Sequence, residues 1–305
     1  MVSLGMARIL VSGVSGPIGS ALLPTLRASG AQITRLSRNA PPDSSPDEHQ
    51  IPWNPAQPIS PQAVSGFDAV IHLAGETIVG RWTDGKKQKI RESRILGTRN
   101  LADALAHAKE KPHVFICSSA IGYYGNRGDE LLNEQSSPGS GFLPDVCGEW
   151  EAATHPAAKA GIRTVQMRTG VVLTRKGGAL GKMLLAFKMG AGGRIGDGRQ
   201  WMSWIAIQDM IGAIHHTLKR DLVQGPVNFV APKPVTNAEF TQTLAAVLSR
   251  PAVFPVPAFA VKLAFGEMGE TVLLGGQRVE PMQLVGSGYP FRYPSLRACL
   301  ESLEL

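Results

Sequence analysis

Short runs of aliphatic and β-branched residues alternate with longer stretches of helical periodicity along the first half of the chain. The predicted strands are Ala7–Val11, Gln32–Leu36, a short one around Ile51, Ala69–Leu73, Val114–Ser118 and Thr164–Arg168. The predicted helices are Ile18–Ser29, Asp84–Ala108 and Asp145–Ala160, and the segment 39–65 is mostly loop. Such alternation is typical of a parallel sheet with helices on both faces. The pattern therefore predicts an α/β fold with a doubly wound parallel sheet.

The pattern changes after about Thr174. Glycines at 177–178 and 190–198 and the proline-rich stretch 251–257 interrupt the periodicity. Helices are still predicted for Ala179–Met189, Asp209–Arg220 and Asn237–Leu248. We therefore expect a main domain over residues 6–174 and a smaller substrate-side lobe over residues 175–305, with one or two segments of the lobe returning to the main sheet.

A glycine-rich string joins the first strand to the first helix, and it runs Gly13-Val14-Ser15-Gly16-Pro17-Ile18-Gly19. Between a strand and a helix, this spacing indicates a Rossmann-type dinucleotide site to which the whole string contributes. Gly13 permits the tight turn, Gly16 lets the backbone approach a pyrophosphate, and Gly19 lets the helix pack close to the strand. The helix N-terminus then offers N–H groups and the positive end of its dipole to the phosphates.

The residue types at the end of the second strand indicate whether a Rossmann-type protein binds NADP or NAD. Proteins that bind NAD usually carry Asp or Glu there for the ribose 2′-hydroxyl. This chain has no carboxylate at that point, because the segment reads Arg35-Leu36-Ser37-Arg38. Arg38 can form charge-assisted hydrogen bonds with a 2′-phosphate, and Ser37 can donate another. We expect NADP(H) as the cofactor, with an ordinary surface arginine as the alternative interpretation of Arg38.

The composition of the chain indicates in which cellular compartment the protein works and whether it binds a metal. The chain has 305 residues, of which 43% are hydrophobic and 18% charged, enough for a large core. No apolar stretch has the length of a membrane span, and the N-terminus lacks a signal-peptide pattern. The cysteines are Cys117, Cys147 and Cys299, and their spacing matches no metal motif. We therefore expect a cytoplasmic protein without a metal site.

The net charge of +7 is compatible with nucleic acid, an anionic membrane or a phosphorylated small ligand. The basic residues are scattered, however, and no nucleic-acid-binding motif accompanies them. We expect a small-molecule substrate and neither nucleic acid nor a membrane as partner.

Further motifs follow the glycine string. They are His72-Leu73-Ala74-Gly75-Glu76, Ser93-Arg94-Ile95-Leu96-Gly97-Thr98, Ser118-Ser119-Ala120-Ile121-Gly122-Tyr123-Tyr124-Gly125, Trp150-Glu151, Arg168-Thr169-Gly170-Val171-Val172-Leu173, Gly177-Gly178-Ala179, Trp204-Ile205-Ala206-Ile207-Gln208-Asp209 and Gln277-Arg278-Val279-Glu280-Pro281. As a set they resemble the epimerase-family subgroup of atypical, extended short-chain dehydrogenases. Members of that subgroup are often labelled nucleoside-diphosphate-sugar epimerases or cell-division-inhibitor-like proteins. The resemblance covers about residues 8–303 and implies an NADP-binding Rossmann domain with a small C-terminal substrate lobe.

The resemblance also implies cofactor contacts beyond the glycine string, Ser37 and Arg38. Leu73, Ala74 and Gly75 would pass beneath the adenosine ribose and the pyrophosphate. Arg94 stands where extended relatives usually have asparagine, and it would reach the cofactor from its helix. The segment from Thr169 to Val172 would approach the nicotinamide carboxamide. The alternatives are that Leu73 and Val172 belong to the core and that Arg94 is a solvated helix charge.

The catalytic pattern departs from that of the relatives. They carry out hydride transfer with a serine or threonine, a tyrosine, and a lysine four residues after the tyrosine. Ser119 stands at the expected place of the serine, but Cys147 and Glu151 occupy those of the tyrosine and lysine. A carboxylate cannot lower the pKa of a tyrosine as a cation does. Tyr123 or Tyr124 is the candidate substitute acid, and Cys147 and Glu151 are weaker alternatives.

Two classes of function remain open at this stage. The first is an NADP-dependent oxidoreductase or sugar-nucleotide epimerase with an unusual proton donor, acting on a nucleotide sugar or a carbonyl compound. The second is a non-catalytic NADP(H)-binding sensor or regulator, with a link to cell division by family analogy alone. We favour the enzyme, because a pocket over a bound nicotinamide is the usual purpose of this fold.

Overall fold

The computed structural model describes residues 6–38, 49–175 and 177–305. In these residues the main sheet has seven parallel strands, numbered along the whole chain as β1 (Arg8–Ser12), β2 (Gln32–Ser37), β3 (His49–Pro52), β4 (Ala69–His72), β5 (Val114–Ala120), β7 (Arg163–Thr169) and β11 (Gly225–Phe229). Their spatial order is β11-β7-β5-β4-β1-β2-β3. The strand order changes direction next to β1, as in a doubly wound sheet. The predicted α/β fold is confirmed.

Ten α-helices lie in the described part of the chain. They are α1 (Pro17–Ala28), α2 (Asp84–His107), α3 (Phe142–Ala152), α4 (His155–Lys159), α5 (Gly178–Lys188), α6 (Ile207–Lys219), α7 (Asn237–Leu248), α8 (Ala258–Phe265), α9 (Met282–Gly286) and α10 (Leu296–Ser302). None of the helices described in the structure has both the length and the apolar character needed to cross a membrane.

The sheet separates two hydrophobic cores. Alternate residues of β1 face opposite sides, so Ile9 joins one core with α1 and α6, and Leu10 joins the other with α2. Phe115 of β5 and Trp150 of α3 are buried in the second core. Burial on both faces explains why the strands are almost continuously apolar in sequence.

The predicted helix over residues 145–160 is wrong in its bounds and continuity. Helix α3 already begins at Phe142, and Pro144 lies in its first turn, where a missing N–H costs no helical hydrogen bond. The chain leaves the helix after Ala152, and α4 restarts at His155. Pro156 explains the break, because a proline inside a helix removes one N–H donor and its ring clashes with the carbonyl four residues earlier.

Six short strands in the described ranges form three two-stranded pairs outside the main sheet. They are β6 (Leu131–Leu132), β8 (Val171–Leu173), β9 (Trp201–Met202), β10 (Trp204–Ala206), β12 (Val235–Thr236) and β13 (Arg278–Val279). Strand β10 pairs with β8, β12 with β9, and β13 with β6. Strand β11, from the C-terminal part of the chain, lies beside β7 in the main sheet. The first ten residues of the predicted loop 39–65 lie outside the described residues.

Candidate functional site

The glycine loop lies between β1 and α1 and packs against the residues that follow β4. Gly13 has a φ of +72°, and a Cβ there would lie 2.5 Å from the carbonyl carbon of Leu73 and 2.6 Å from the nitrogen of Ala74. A Cβ on Gly19 would lie 2.4 Å from the carbonyl oxygen of Gly13. Both positions therefore require glycine for steric reasons. The structure thus brings together two segments that were predicted separately.

Gly16 differs from its two neighbours in the string. Among the residues that the structure describes, the only atom within 4 Å of a Cβ on Gly16 would be the carbonyl oxygen of Gly13, at 3.4 Å. Gly16 also caps α1 without a side-chain hydrogen bond, and Pro17 opens the helix. Ser15 and Pro17 are exposed and Ile18 is half-buried. The first N–H groups of α1 therefore lack a side-chain cap, and uncapped helix N-termini of this kind bind phosphate groups in proteins.

The second strand ends beside this loop. Ser12 pairs with Leu36 in the register of β1 and β2, so Ser37 and Arg38 come next along the same edge of the sheet. The carbonyl of Ser37 accepts a hydrogen bond of 3.0 Å from the backbone N–H of Trp53, and the Arg38 side chain is exposed. In doubly wound folds that bind a dinucleotide at such a loop, the adenosine ribose lies at the end of the second strand, which is the position of Ser37 and Arg38 here.

Arg94 reaches the same edge from α2. Its guanidinium lies over the ring of Trp150 at 5.1 Å, and Nη1 donates to the carbonyl oxygen of Ile90 at 3.0 Å. A Cβ on Gly75 would be 3.7 Å from the guanidinium carbon. Burial lowers the pKa of Arg94. Arg94 is therefore a fixed, half-buried cation beside Gly75 rather than a freely solvated charge.

The segment after β7 lies on the other side of the site. Gly170 donates its N–H to the carbonyl of Phe229 at 3.2 Å, and Val171 donates to Ser203 at 2.8 Å. Thr169 donates its hydroxyl to the carbonyl of Met167 at 3.2 Å. Thr169 and Val172 are half-buried at the carboxyl end of the sheet, as are Leu73 and Ala74. These residues therefore lie together at the carboxyl edge of the sheet.

Ser119 is part of a buried ion-pair cluster. Ser119 and Arg168 are paired in the register of β5 and β7, so both side chains point to the same face of the sheet, towards α3. Ser119 donates its hydroxyl to Oε1 of Glu151 at 2.7 Å. Arg168 donates from Nε to Oε1 and from Nη2 to Oε2 of Glu151, both at 2.8 Å. Glu151 thus stands where the resemblance to short-chain dehydrogenases led us to expect a lysine, and the cation bound to it is Arg168 of β7.

Arg168 has an unusual environment for a strand residue. Its side chain is only 3% exposed, and its guanidinium carbon lies 3.5 Å from the centre of the Tyr123 ring. Burial alone would lower the pKa of Arg168, but the hydrogen bonds and charge of Glu151 raise it above the ordinary value. Sequence analysis missed this residue as part of the site. A charged residue within an otherwise buried strand was the available signal, because such a charge requires a buried partner.

The two candidate tyrosines have different environments. Tyr124 is fully buried, its hydroxyl donates to Oδ1 of Asn228 at 2.8 Å, and it accepts from Nη1 of Arg168 at 3.0 Å. Burial raises the pKa of Tyr124 to about 12. Tyr123 is half-buried and lines a cavity of about 540 Å³ together with Glu151, His155 and Asp145. The geometry therefore favours Tyr123 over Tyr124 as a residue that a ligand can reach.

Cys147 lies beside these groups without a functional environment. The side chain is 3% exposed, and a Cβ on Gly122 would be 3.8 Å from its sulfur. Burial raises the pKa of the Cys147 thiol to about 12, so the reactive thiolate is disfavoured. The cysteine at the expected tyrosine position is a small buried residue in contact with the turn after β5.

Comparison with known proteins identifies the relatives of this chain. The model of the NAD dependent epimerase/dehydratase family matches residues 9–230. The chain belongs to that family. A second model, a domain of unknown function, matches residues 256–303. An epimerase family protein of Mycobacterium bovis is 41% identical over 296 residues, which cover 96% of each chain.

Two solved structures of the family are also similar. The crystal structure of human epimerase family protein SDR39U1 (isoform 2) with NADPH has a TM-score of 0.88 and 36% identity, covering 97% of this chain and 98% of that one. The nucleoside-diphosphate sugar epimerase from Corynebacterium glutamicum has a TM-score of 0.81 and 34% identity, covering 98% of this chain and 59% of that one. These comparisons confirm the resemblance to epimerase-type short-chain dehydrogenases.

Proposed function

We propose that the protein binds NADP(H) at the glycine loop and catalyses a redox step on a small hydroxyl or carbonyl compound. The uncapped start of α1 and the open face of Gly16 support the pyrophosphate site. Ser37 and Arg38 would bind the 2′-phosphate, and Arg94 would contact the cofactor near Gly75. The similarity to human SDR39U1, whose crystal structure contains NADPH, supports this choice of cofactor.

The hydrogen bond from Ser119 to Glu151 is the observation that carries the proposal for proton transfer. Its length is 2.7 Å, and Arg168 fixes both oxygens of the carboxylate that accepts it. When bound, NADP(H) supplies or accepts the hydride. During oxidation, the substrate hydroxyl would give its proton to Ser119 while the Ser119 proton passes to Glu151. During reduction, the protons would move back along the same path.

The cavity beside α3 would complete this path. Glu151 lines that cavity with His155, so the carboxylate has a route to water although Ser119 is buried. A proton accepted from the substrate could therefore leave without passing through the ligand. Glu151 and Ser119 would take the combined role that tyrosine and lysine have in ordinary relatives.

The substrate is proposed from the relatives and the fold. The Corynebacterium relative carries the name nucleoside-diphosphate sugar epimerase, so a nucleotide sugar is the first candidate, and a simple aldehyde or ketone is the second. It would bind between residues 6–174 and the smaller lobe over residues 175–305. A cytoplasmic location fits such a substrate.

A screen for turnover tests the proposal. Nucleotide sugars, aldehydes and ketones are offered to the protein, while NADPH absorbance and product stereochemistry are followed. We expect Ser119→Ala and Glu151→Gln to lower kcat by about 10²–10⁴-fold, the usual contribution of general acid–base catalysis. Cys147→Ser is the matched control and should retain turnover. A loss confined to Tyr123→Phe would contradict the proposed path and assign proton transfer to Tyr123.

A non-catalytic NADP(H) sensor is the second candidate function. It is favoured by the internal hydrogen bonds of two candidate catalytic hydroxyls, since Ser119 donates to Glu151 and Tyr124 donates to Asn228. A sensor requires different affinities for NADPH and NADP+, which calorimetric titration measures. No turnover with any substrate, together with unequal affinities, would replace the enzyme by the sensor.

A further inference from the structure

Six large apolar side chains lie exposed on one side of the C-terminal part of the chain. Each is between 67% and 75% exposed. They are Leu185, Met189, Val253, Phe254, Phe259 and Leu263, and they are called the apolar strip below. Single exposed hydrophobic residues are common on proteins, but contiguous groups of them mark interaction surfaces.

The loops next to α5 and α8 lie side by side. A Cβ on Gly190, just after α5, would lie 3.8 Å from the side chain of Pro251. Val256 donates its N–H to the carbonyl of Arg194 at 2.8 Å, and Gly196 donates to the carbonyl of Val256 at 2.9 Å. The loop after α5 therefore runs along the loop that leads into α8, so the segments that carry the six exposed side chains are neighbours in the lobe.

The helices that carry the strip are packed in the fold. Leu184 and Phe187 of α5 are buried in the main core, at 8% and 5% exposure, while their neighbour Leu185 is 67% exposed. Val261 of α8 is buried at 3%, while Phe259 is 73% exposed. Each helix thus has a second apolar face besides the one that attaches it to the protein. Folding does not require that second face, and a binding partner explains it.

Basic residues outnumber acidic ones around the strip. Residues 178–196 and 249–265 contain five basic residues, Lys182, Lys188, Arg194, Arg250 and Lys262, and the acidic residues that directly follow these two ranges are Asp197, Glu267 and Glu270. Among the described contacts of this region, Lys262 is paired with Glu270 at 2.8 Å, a residue beyond α8. The strip is therefore an apolar surface flanked by cations, and it matches a partner that is apolar and anionic.

We propose that the apolar strip docks on the surface of an anionic lipid bilayer. Exposed Phe, Leu and Met side chains would enter the boundary between headgroups and acyl chains, while the flanking Lys and Arg bind the lipid phosphates. A second copy of this chain fits less well, because a symmetric contact would place the same five cations opposite one another. The docking is peripheral, and it differs from the expectation that the protein has no membrane partner.

Vesicle sedimentation with the full-length protein tests the proposal. Phosphatidylcholine vesicles are compared with vesicles that also contain about 30 mol% phosphatidylglycerol, a charge content that attracts basic segments. We expect binding to the anionic vesicles and much less to the neutral ones. The double variant Phe259→Ser/Leu263→Ser should lower the partition coefficient by about ten-fold or more, because two anchoring side chains are lost. Lys188→Glu/Arg250→Glu should lower it as well.

A matched control tests whether vesicle binding depends on the strip or on any exposed apolar side chain. Leu222 is 90% exposed and lies outside the strip, so Leu222→Ser should leave vesicle binding unchanged. Unchanged thermal unfolding and NADPH binding would show that the strip variants remain folded. No binding to anionic vesicles, or equal binding by the strip variants and the wild type, would overturn the proposal. Self-association on a sizing column that only the strip variants lose would overturn it in favour of a second copy.

Discussion

Arg38 is the residue to which we assign the preference for NADP(H). It is exposed and directly follows Ser37, the last residue of β2. We expect NADPH to bind more tightly than NADH, and Arg38→Ala to remove about 1.5–3 kcal/mol of that preference through loss of a charge-assisted contact. Calorimetric titration with both cofactors measures it, with the exposed Arg297→Ala as control. Equal affinities in the wild type would contradict the assignment.

Substitutions at two glycines of the loop should have different effects. Gly16→Val should abolish dinucleotide binding and leave the fold intact, since its Cβ has room in the protein but would occupy the space of the pyrophosphate. Gly19→Ala should instead destabilise the protein by about 1–3 kcal/mol, because its Cβ would meet the carbonyl of Gly13 at 2.4 Å.

Circular dichroism and NADPH titration on the same samples distinguish these outcomes. If Gly16→Val bound NADPH normally, the loop would be a structural turn only. The sequence motif predicted different roles for Gly16 and Gly19, and the distances from their Cβ positions to the carbonyl oxygen of Gly13, 3.4 Å and 2.4 Å, agree with that difference.

At the scale of elements, the Glu151–Arg168 pair joins α3 to β7. Arg168→Met leaves the carboxylate of Glu151 buried without its cation, which should cost about 3–5 kcal/mol in the free energy of unfolding. The double change Glu151→Leu/Arg168→Met removes both charges and should cost less than the sum of the two single changes. Urea denaturation of the four proteins completes the cycle. Strict additivity would mean that the two side chains are not energetically coupled.

The long elements were predictable because their own residues determine them. Continuous apolar runs locate β1, β4 and β5, and helical periodicity locates α2 and α7. The interruption between α3 and α4 was missed, although Pro156 was visible in the sequence. The two- and three-residue strands were missed for another reason. Strand β6 pairs with β13, almost 150 residues away, and no local pattern specifies such a partner.

The candidate site was predictable to a similar degree. The glycine loop and Ser37 with Arg38 follow from local spacing. The Ser119–Glu151–Arg168 cluster depends on the pairing register of β5 with β7 and on the position of α3, which are tertiary properties. The sequence indicated that a lysine was missing at position 151, but it could not show that an arginine two elements later binds the carboxylate found there.

At the scale of the whole molecule, a buried histidine in the main sheet limits the stability of the fold in acid. His72 lies at the end of β4 and is fully buried beside Ser12 of β1. The hydroxyl oxygen of Ser12 accepts from the N–H of Leu73 at 3.2 Å and shares a hydrogen bond of 2.6 Å with Nδ1 of His72. Burial of the His72 ring lowers its pKa from 6.5 to about 4, which favours the neutral imidazole.

This shift predicts a loss of global stability as the pH falls. Between pH 6.5 and about 4 the unfolded chain binds a proton at His72 and the folded chain does not, so the stabilisation present above pH 6.5 is lost as the pH falls towards 4. The loss attributable to His72 is at most about 3 kcal/mol. Urea unfolding at several pH values should show a shallower decline for His72→Asn than for the wild type. The exposed His107→Asn serves as control, and parallel curves for the wild type and His72→Asn would assign the acid sensitivity to other groups.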